Sequence, residues 1–351
     1  MATACETRQS CIQLGPHTVG DGQPPFVVAE VGINHNGDVN LAKRMVRAAK
    51  EAGAHCIKFQ THLTPKEMIH TDMTPGEISK ESLWDIIKRC ELTADEERAV
   101  KRACDEAGIL FLSTPFSREA ADQLEALGVP AYKIGSGEIT NLPLIEHVAK
   151  KGKPMIVSTG MTEMEEVADT VELIQSYGVP LILLQCTSTY PTAYSDVKLG
   201  AIPLLRERFG VPVGLSDHSI GIYTALGAVA KGACVLEKHF TLDRRSPGPD
   251  QSLSIEPPEL RELVRGAEAI YQALGSEKVI IPKERPVVGF ARASVVIIKP
   301  VAAGERLTEA NLWVKRPADG EIPAKEYKKV LGKTAKVAMA ADYQVRWSDV
   351  E

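Results

Sequence analysis

The 351 residues carry 41 basic and 46 acidic side chains, a formal charge of −5, and 44% of them are hydrophobic, enough apolar material for one domain of about 250 residues and a small second one. So mild and evenly spread a charge offers no broad basic face to a nucleic acid or a membrane, which leaves small molecules as the expected partners. The seven cysteines (Cys5, Cys11, Cys56, Cys90, Cys104, Cys186, Cys234) form no CxxC pair, Glu6 and Asp21 interrupt the stretch where an export signal needs apolar residues, and no transmembrane-length apolar run occurs, so a cytoplasmic protein with reduced thiols is expected.

In chain order, a short apolar run predicts a strand over 26–31, followed by a helix-period segment over about 40–52. Further strands are expected at 56–60, 109–113, 131–135, 154–158, 181–186, 212–215 and 233–238, with helices between them and a last helix over 257–273. Cys56, Cys186 and Cys234 fall in these strands. Eight strand–helix repeats in about 250 residues predict a closed (β/α)8 TIM barrel rather than an open doubly wound sheet. The barrel is assigned residues 1–275. Residues 61–81, with Pro65, Thr71, Thr74, Pro75 and Gly76, lack periodicity and read as a lid or substrate loop. Residues 276–290 read as a linker, and 291–351 as a small β-rich module whose landmarks are SVVIIKP, a Gly304-Glu305 turn and NLWVKRP. Sixty residues bury little core alone, so this module is expected to dock on something.

The strand ends carry residues a core would not choose: Glu30, Lys58, Thr114, Lys133, Ser158, Ser188, His218 and His239. In this architecture polar groups at the carboxyl ends of the strands build catalytic sites. Side chains two apart on a strand share a face. Cys56, Lys58 and Gln60 therefore point inward while Ile57 and Phe59 face the helices, and the same count turns Glu30, Thr114, Lys133, Ser158, Ser216, His218, Glu237 and His239 inward. A lone inward lysine could simply pair with Glu30 or Glu237, but Lys58 and Lys133 together with Ser136, Ser158 and Ser216 suggest a site for phosphate and carboxylate.

His218 follows the seventh strand and His239 ends the eighth, so both imidazoles can reach one ion, and barrel closure brings Glu30 alongside. Three adjacent strands thus offer His, His and carboxylate, and two imidazoles with open positions suit a divalent ion such as Mn²⁺, Co²⁺ or Zn²⁺ that also binds substrate oxygens. His17, His35, His55, His62, His70 and His147 lack this spacing and are expected to be structural. A competing reading makes Lys133 or Lys58 the amine nucleophile of a Schiff-base pyruvate aldolase.

GINHNG (32–37), KFQTH (58–62), STPFS (113–117), YKIGSGE (132–138), STGM (158–161), CTSTYPT (186–192), GLSDHS (214–219), LEKHF (236–240) and GPD (248–250) stand in order at strand ends or adjoining loops. Together they resemble the N-acetylneuraminate (sialic acid) synthase family, which includes legionaminic acid synthases. The likeness spans nearly the whole chain, and the terminal module around LWVKRP (312–317) is similar to that family's antifreeze-like (SAF) domain.

The resemblance implies a condensation of phosphoenolpyruvate with the open-chain aldehyde of an N-acyl mannosamine, giving a nine-carbon 2-keto acid and phosphate. It implies a divalent metal, Mn²⁺ with Co²⁺ or Mg²⁺ as alternatives, held by His218 and His239, and Glu30 as acid/base beside the metal-bound water. Lys58, Thr114, Lys133, Ser136, Ser158 and Ser216 match the phosphoenolpyruvate contacts; Gln60, Glu138, Tyr190 and Asp250 match the sugar contacts, with Phe116 lining the same pocket. Ser188 stands where some relatives carry Asn, and its shorter hydroxyl could act through a bridging water. The family's dimers exchange their small domains across the barrel mouths, which assigns Arg316 to the partner's sugar site. The resemblance leaves three sugars open: N-acetylmannosamine, its 6-phosphate, or a 2,4-diacetamido trideoxy sugar. A last alternative, an ice-binding terminal module, fits poorly with Lys315, Arg316, Asp319 and Glu321 crowding one turn.

Overall fold

Parallel strands covered on both faces read as near-continuous apolar runs, and in the computed structural model, which describes residues 10–76 and 80–351, eight such runs form one sheet. After a short hairpin of β1 (Cys11–Leu14) and β2 (His17–Gly20) come β3 (Phe26–Gly32), β4 (Cys56–Thr61), β5 (Leu110–Pro115), β6 (Tyr132–Ile134), β7 (Met155–Ser158), β8 (Leu181–Cys186), β9 (Val213–Asp217) and β10 (Val235–His239). The eight lie in the order β5-β4-β3-β10-β9-β8-β7-β6 with every ladder parallel. Strand β3 pairs with β10, so the first barrel strand meets the last. The sheet is a nearly closed TIM-type barrel, with β5 beside β6 at the seam.

Alternation divides the apolar residues into two cores. Outward residues such as Val27, Ile57, Phe59, Phe111, Leu183 and Leu236 pack under the helices. Inward residues at the amino ends of the strands (Phe26, Val28, Cys56, Leu112, Ala131, Ile156, Ile182) form the second core, joined by Ile12, Leu14 and Val19 of the hairpin. The hairpin thus plugs the barrel floor. It was not expected from the sequence, because four-residue strands give too few alternations to register; the Gly15-Pro16 dipeptide between them was the available turn signal.

The helix expected over 40–52 spans Val39–Ala52; Asp38 accepts from the backbone N–H groups of Asn40 and Leu41, and Gly53 ends it at φ +94°. Two expected lengths need correction. Strand β9 runs on to Asp217 rather than stopping at 215, because polar Ser216 and Asp217 break the apolar run without breaking the ladder to β10. The 61–81 segment contains a short helix, Thr64–Glu67, started by Pro65 in its first turn. Residues 77–79 of that segment, and Cys5 and Glu6, lie outside the described residues.

The chain divides between Leu274 and Gly275 into two units. The C-terminal unit has its own core, including Val295, Ile297, Leu307, Leu312, Ile322, Val330 and Val345, around the antiparallel pair β11 (Ser294–Ile297) and β12 (Leu312–Lys315). The expected linker is not irregular throughout: Arg285–Ala291 is helical, with Pro286 in its first turn. Among the described residues, no helix is long and apolar enough to cross a membrane.

Candidate active site

Lys58 is inward on β4 because its parity matches buried Cys56, and the register sets it beside Glu30 of β3, which in turn stands beside His239 of β10. The Lys58 ammonium lies 2.7 Å from Glu30 Oε2 and 3.7 Å from Glu237 Oε1, and donates to Thr114 Oγ1 at 3.2 Å. Lys133 of β6 reaches the same Glu237 oxygen at 3.3 Å and donates to Ser158 Oγ at 2.8 Å. Ser216 Oγ also donates to Glu237, at 3.2 Å. Glu237 therefore bridges two ammonium groups, and all four charged side chains are buried.

Burial sets the proton affinities. It pushes Glu30 up to about 7 against the pull of Lys58. Lys133 is lowered by burial despite Glu237. Glu237 and Lys58 shift the other way. Burial opposes their charges, but Lys133 and Lys58 draw Glu237 down, and Glu237 and Glu30 draw Lys58 up. The quartet thus sets two ammonium groups against one carboxyl drawn down and one pushed up by burial, an arrangement that favours an incoming anion. A folded value near 7 against an ordinary 4.5 means that the folded chain holds the Glu30 proton more tightly than the unfolded chain does. Its contribution to stability is full below 4.5 and lost as pH rises through 7. Denaturant melts of chelator-treated protein should therefore show stability falling across that window, and Glu30→Gln should flatten the fall; an unchanged slope would refute the assignment.

Above the quartet, the His218 and His239 ring centroids are 5.4 Å apart, with Tyr190 4.2 Å from His218 and 6.0 Å from His239. His218 Nδ1 lies 2.9 Å from the Thr187 carbonyl oxygen, to which it donates; burial works against a charge on this ring, but the Cys186 thiol and the Thr187 carbonyl raise its proton affinity above the usual imidazole value. Burial, reinforced by His218, holds His239 well below the usual imidazole range, and its Nδ1 is buried without a hydrogen bond. Two imidazoles 5.4 Å apart fit a divalent ion that takes further oxygen ligands, with any His218 proton released as the ion binds. The expected carboxylate is not part of the set: Glu30 turns to Lys58, a buried opposite charge, and among the described residues no three His, Cys, Asp or Glu side chains gather as a metal cluster.

These groups line a cavity of about 220 Å³ at the carboxyl ends of the strands. Glu30, Lys58, Gln60, Thr114 and Phe116 come from β3 to β5 and the turn after β5; Lys133, Ser136 and Ser158 from β6, β7 and the turn between them. Ser188 and Tyr190 follow β8, and Ser216, His218 and His239 complete the wall. Three residues assigned by resemblance stand apart from this lining. Glu138, half-buried in the turn Ser136–Glu138, accepts from Asn141 Nδ2 at 2.6 Å. Asp250 Oδ2 lies 3.9 Å from His239 Nδ1, and burial pushes its carboxyl up to about 6. Arg316 belongs to the C-terminal unit, where it lines a cavity of about 700 Å³ with Lys315, Asp319, Glu321, Gln344 and Arg346.

Two contributors were undervalued in the sequence. The sequence presents Glu237 as a partner for a lone lysine; its place two residues before His239, on the same face, signals more. The spacing of His62 suggests a structural role, yet its Nε2 lies 3.0 Å from Gln60 Oε1 and its ring stacks on Phe116 with centroids 4.5 Å apart, so it sets two lining residues at once. Gly160 permits a close approach as well: a Cβ there would stand 2.3 Å from Ser188 Oγ and 2.6 Å from Ser136 Oγ.

A barrel whose strand ends converge on buried acids, bases and ammonium groups defines an enzyme of the (β/α)8 class. Residues 45–279 match the NeuB family and residues 292–351 match the SAF domain. The chain belongs to the NeuB family, whose named members here are synthases of the sialic acid type. It is 36% identical to the N,N'-diacetyllegionaminic acid synthase of Legionella pneumophila, over 95% of this chain and 96% of that protein. It is 37% identical to the human N-acetylneuraminate-9-phosphate synthase, over 92% of each. The crystal structure of an N-acetylneuraminic acid synthetase from Leptospira borgpetersenii, in complex with citrate, superposes with a TM-score of 0.73 at 37% identity, covering 80% of this chain and 95% of that one.

Proposed function

We propose that this enzyme condenses phosphoenolpyruvate with the open-chain aldehyde of an N-acyl mannosamine-type sugar, in the cytoplasm and with a divalent ion, Mn²⁺ or else Co²⁺ or Mg²⁺, to give a nine-carbon 2-keto sugar acid and phosphate. The observation that carries the reading is the pair of buried lysines bridged by Glu237 beneath two imidazoles 5.4 Å apart. Lys58 and Lys133 hold the phosphate and carboxylate by charge, and Thr114, Ser136, Ser158, Ser188 and Ser216 add hydroxyl donors around them. With both ends fixed, the methylene carbon faces the aldehyde, and proximity supplies a large share of the rate.

In the reaction the methylene carbon attacks the aldehyde carbon, forming the C–C bond as the C=O π bond breaks, and the aldehyde oxygen takes up the proton that Glu30 receives from the added water. Water adds to the former enol carbon, its proton passing to Glu30, whose affinity near 7 suits a base at neutral pH. Phosphate then leaves with the C–O bond, and the keto group forms. His218 and His239 would hold the divalent ion, which supplies Lewis-acid polarisation of the aldehyde oxygen. Gln60, Tyr190 and Phe116 bound the sugar end of the cavity, with Glu138 and Asp250 as further sugar contacts.

Phosphate release from phosphoenolpyruvate, measured with each of the three candidate sugars after chelation and after restoring each metal, tests substrate and cofactor together. No release with any sugar would overturn the reading. Burial lowers the proton affinity of Lys133, the direction an amine nucleophile requires, but the group is tied to Glu237 and Ser158. Borohydride treatment with pyruvate should therefore trap no adduct, and a trapped one would favour the aldolase.

The family's domain-exchanged dimer is part of the proposal, with Arg316 reaching the sugar bound to the partner. Exchanging subunits between inactive His218→Ala and inactive Arg316→Ala should restore about one quarter of wild-type activity, since half the dimers are mixed and one of their two sites is intact. Absence of recovery after verified exchange would refute the shared site.

A further inference from the structure

Directly behind the two imidazoles, on the outer face of the barrel, lies an ion pair that the chemistry above does not use. Asp217 precedes His218 and Lys238 precedes His239, so strand alternation turns this pair toward the helices while the imidazoles face the cavity. Asp217 and Lys238 are register partners across β9 and β10, with 2.9 Å between Nζ and Oδ2 and side chains only 1% and 0% exposed. Asp217 Oδ1 accepts from the Ser219 backbone N–H at 2.9 Å, and Oδ2 accepts from Thr224 Oγ1 at 2.6 Å. Ser219 and Thr224 hydroxyls are 2.6 Å apart, and Lys238 also donates to the Ser219 carbonyl. The network thus grips the backbone on both sides of His218 and ties it to the residue before His239.

Stability alone is a poor reason for this arrangement. A buried ion pair replaced by apolar residues of similar size is often neutral or stabilising, because desolvation offsets attraction. What apolar packing cannot reproduce is direction: the charge-assisted bonds fix strand register and the turn after β9 at the point where two rings must face one ion. We propose that the Lys238–Asp217 pair is a positioning device that sets the spacing of His218 and His239 and so the affinity for the divalent ion. The inference rests on the two-imidazole reading of the site.

The test uses full-length protein and Mn²⁺ alone, with free Mn²⁺ followed by electron paramagnetic resonance and unfolding by calorimetry. Lys238→Met leaves an unpaired buried carboxylate and is liable not to fold, so the informative variants are the charge-balanced double Asp217→Leu/Lys238→Met and the near-isosteric Thr224→Val. The double variant should unfold within a few degrees of wild type yet bind Mn²⁺ about 10- to 100-fold more weakly, as for other supporting contacts around metal ligands. Thr224→Val should weaken binding in the same direction by less. A folded double variant with Mn²⁺ affinity within twofold of wild type overturns this proposal alone. Wild-type protein that binds no Mn²⁺ overturns the imidazole site itself, and this proposal with it. A double variant that does not fold leaves the decision to Thr224→Val, where unchanged affinity counts against the proposal.

Discussion

Glu237→Gln is expected to cost about 3–5 kcal/mol of folding free energy and to slow turnover at least about 100-fold. Its carboxylate is the shared counter-charge of Lys58 and Lys133, at 3.7 Å and 3.3 Å, and it also receives the Ser216 hydroxyl. Glutamine keeps the shape and removes the charge, so two buried ammonium groups would face one another with Glu30 the nearest remaining carboxylate. With its affinity near 7, Glu30 is partly protonated at neutral pH and cannot balance both. One outcome is a lysine that gives up its proton and with it much of the attraction for anionic substrate. Ser216→Ala is the milder comparison, removing one hydrogen bond to Glu237 at about 1 kcal/mol. Denaturant melts and phosphate release check both. A Glu237→Gln protein within 1 kcal/mol of wild type would mean that the lysines are not held as described.

Removal of the divalent ion is expected to slow turnover by about 10³-fold or more, equivalent to roughly 4 kcal/mol of transition-state stabilisation. His218→Ala or His239→Ala should do the same, with neither variant rescued by ordinary metal concentrations. The expectation follows from two rings 5.4 Å apart: burial keeps His239 unprotonated, and His218, whose Nδ1 donates to Thr187, must give up a proton it holds more tightly than an ordinary imidazole for the ion to bind. Dialysis against chelator followed by phosphate-release assays with and without Mn²⁺ is the direct measurement. Full speed in the stripped enzyme would take the imidazoles out of the chemistry.

The barrel and the inner wall of its mouth were legible because alternation is a local property. Once Cys56 and Leu112 are inward, Lys58 and Thr114 must be as well, and register then delivers Glu30 beside Lys58. The loops were not legible for the opposite reason. Asn34 Nδ2 donates to the Phe240 carbonyl and to Ser254 Oγ, while Ser254 Oγ donates to the Asp250 carbonyl. The place of Asp250 beside His239 thus depends on partners more than two hundred residues away in sequence. The direction of Glu30 likewise had two plausible answers, an ion or an ammonium, and only the assembled interior decides between them. Motif resemblance supplied roles for Glu138 and Asp250 but not positions.

The hairpin of β1 and β2 has a consequence for traffic. With Ile12, Leu14 and Val19 pressed into the lower lumen, the barrel is a blind vessel: whatever enters at the rim must leave by the rim. Products share one exit with reactants, so a lingering product bars the next substrate. The same stopper keeps bulk water from rising beneath the lysines, preserving the low-dielectric setting in which their grip is strong. Loosening it would weaken a site that the hairpin never touches.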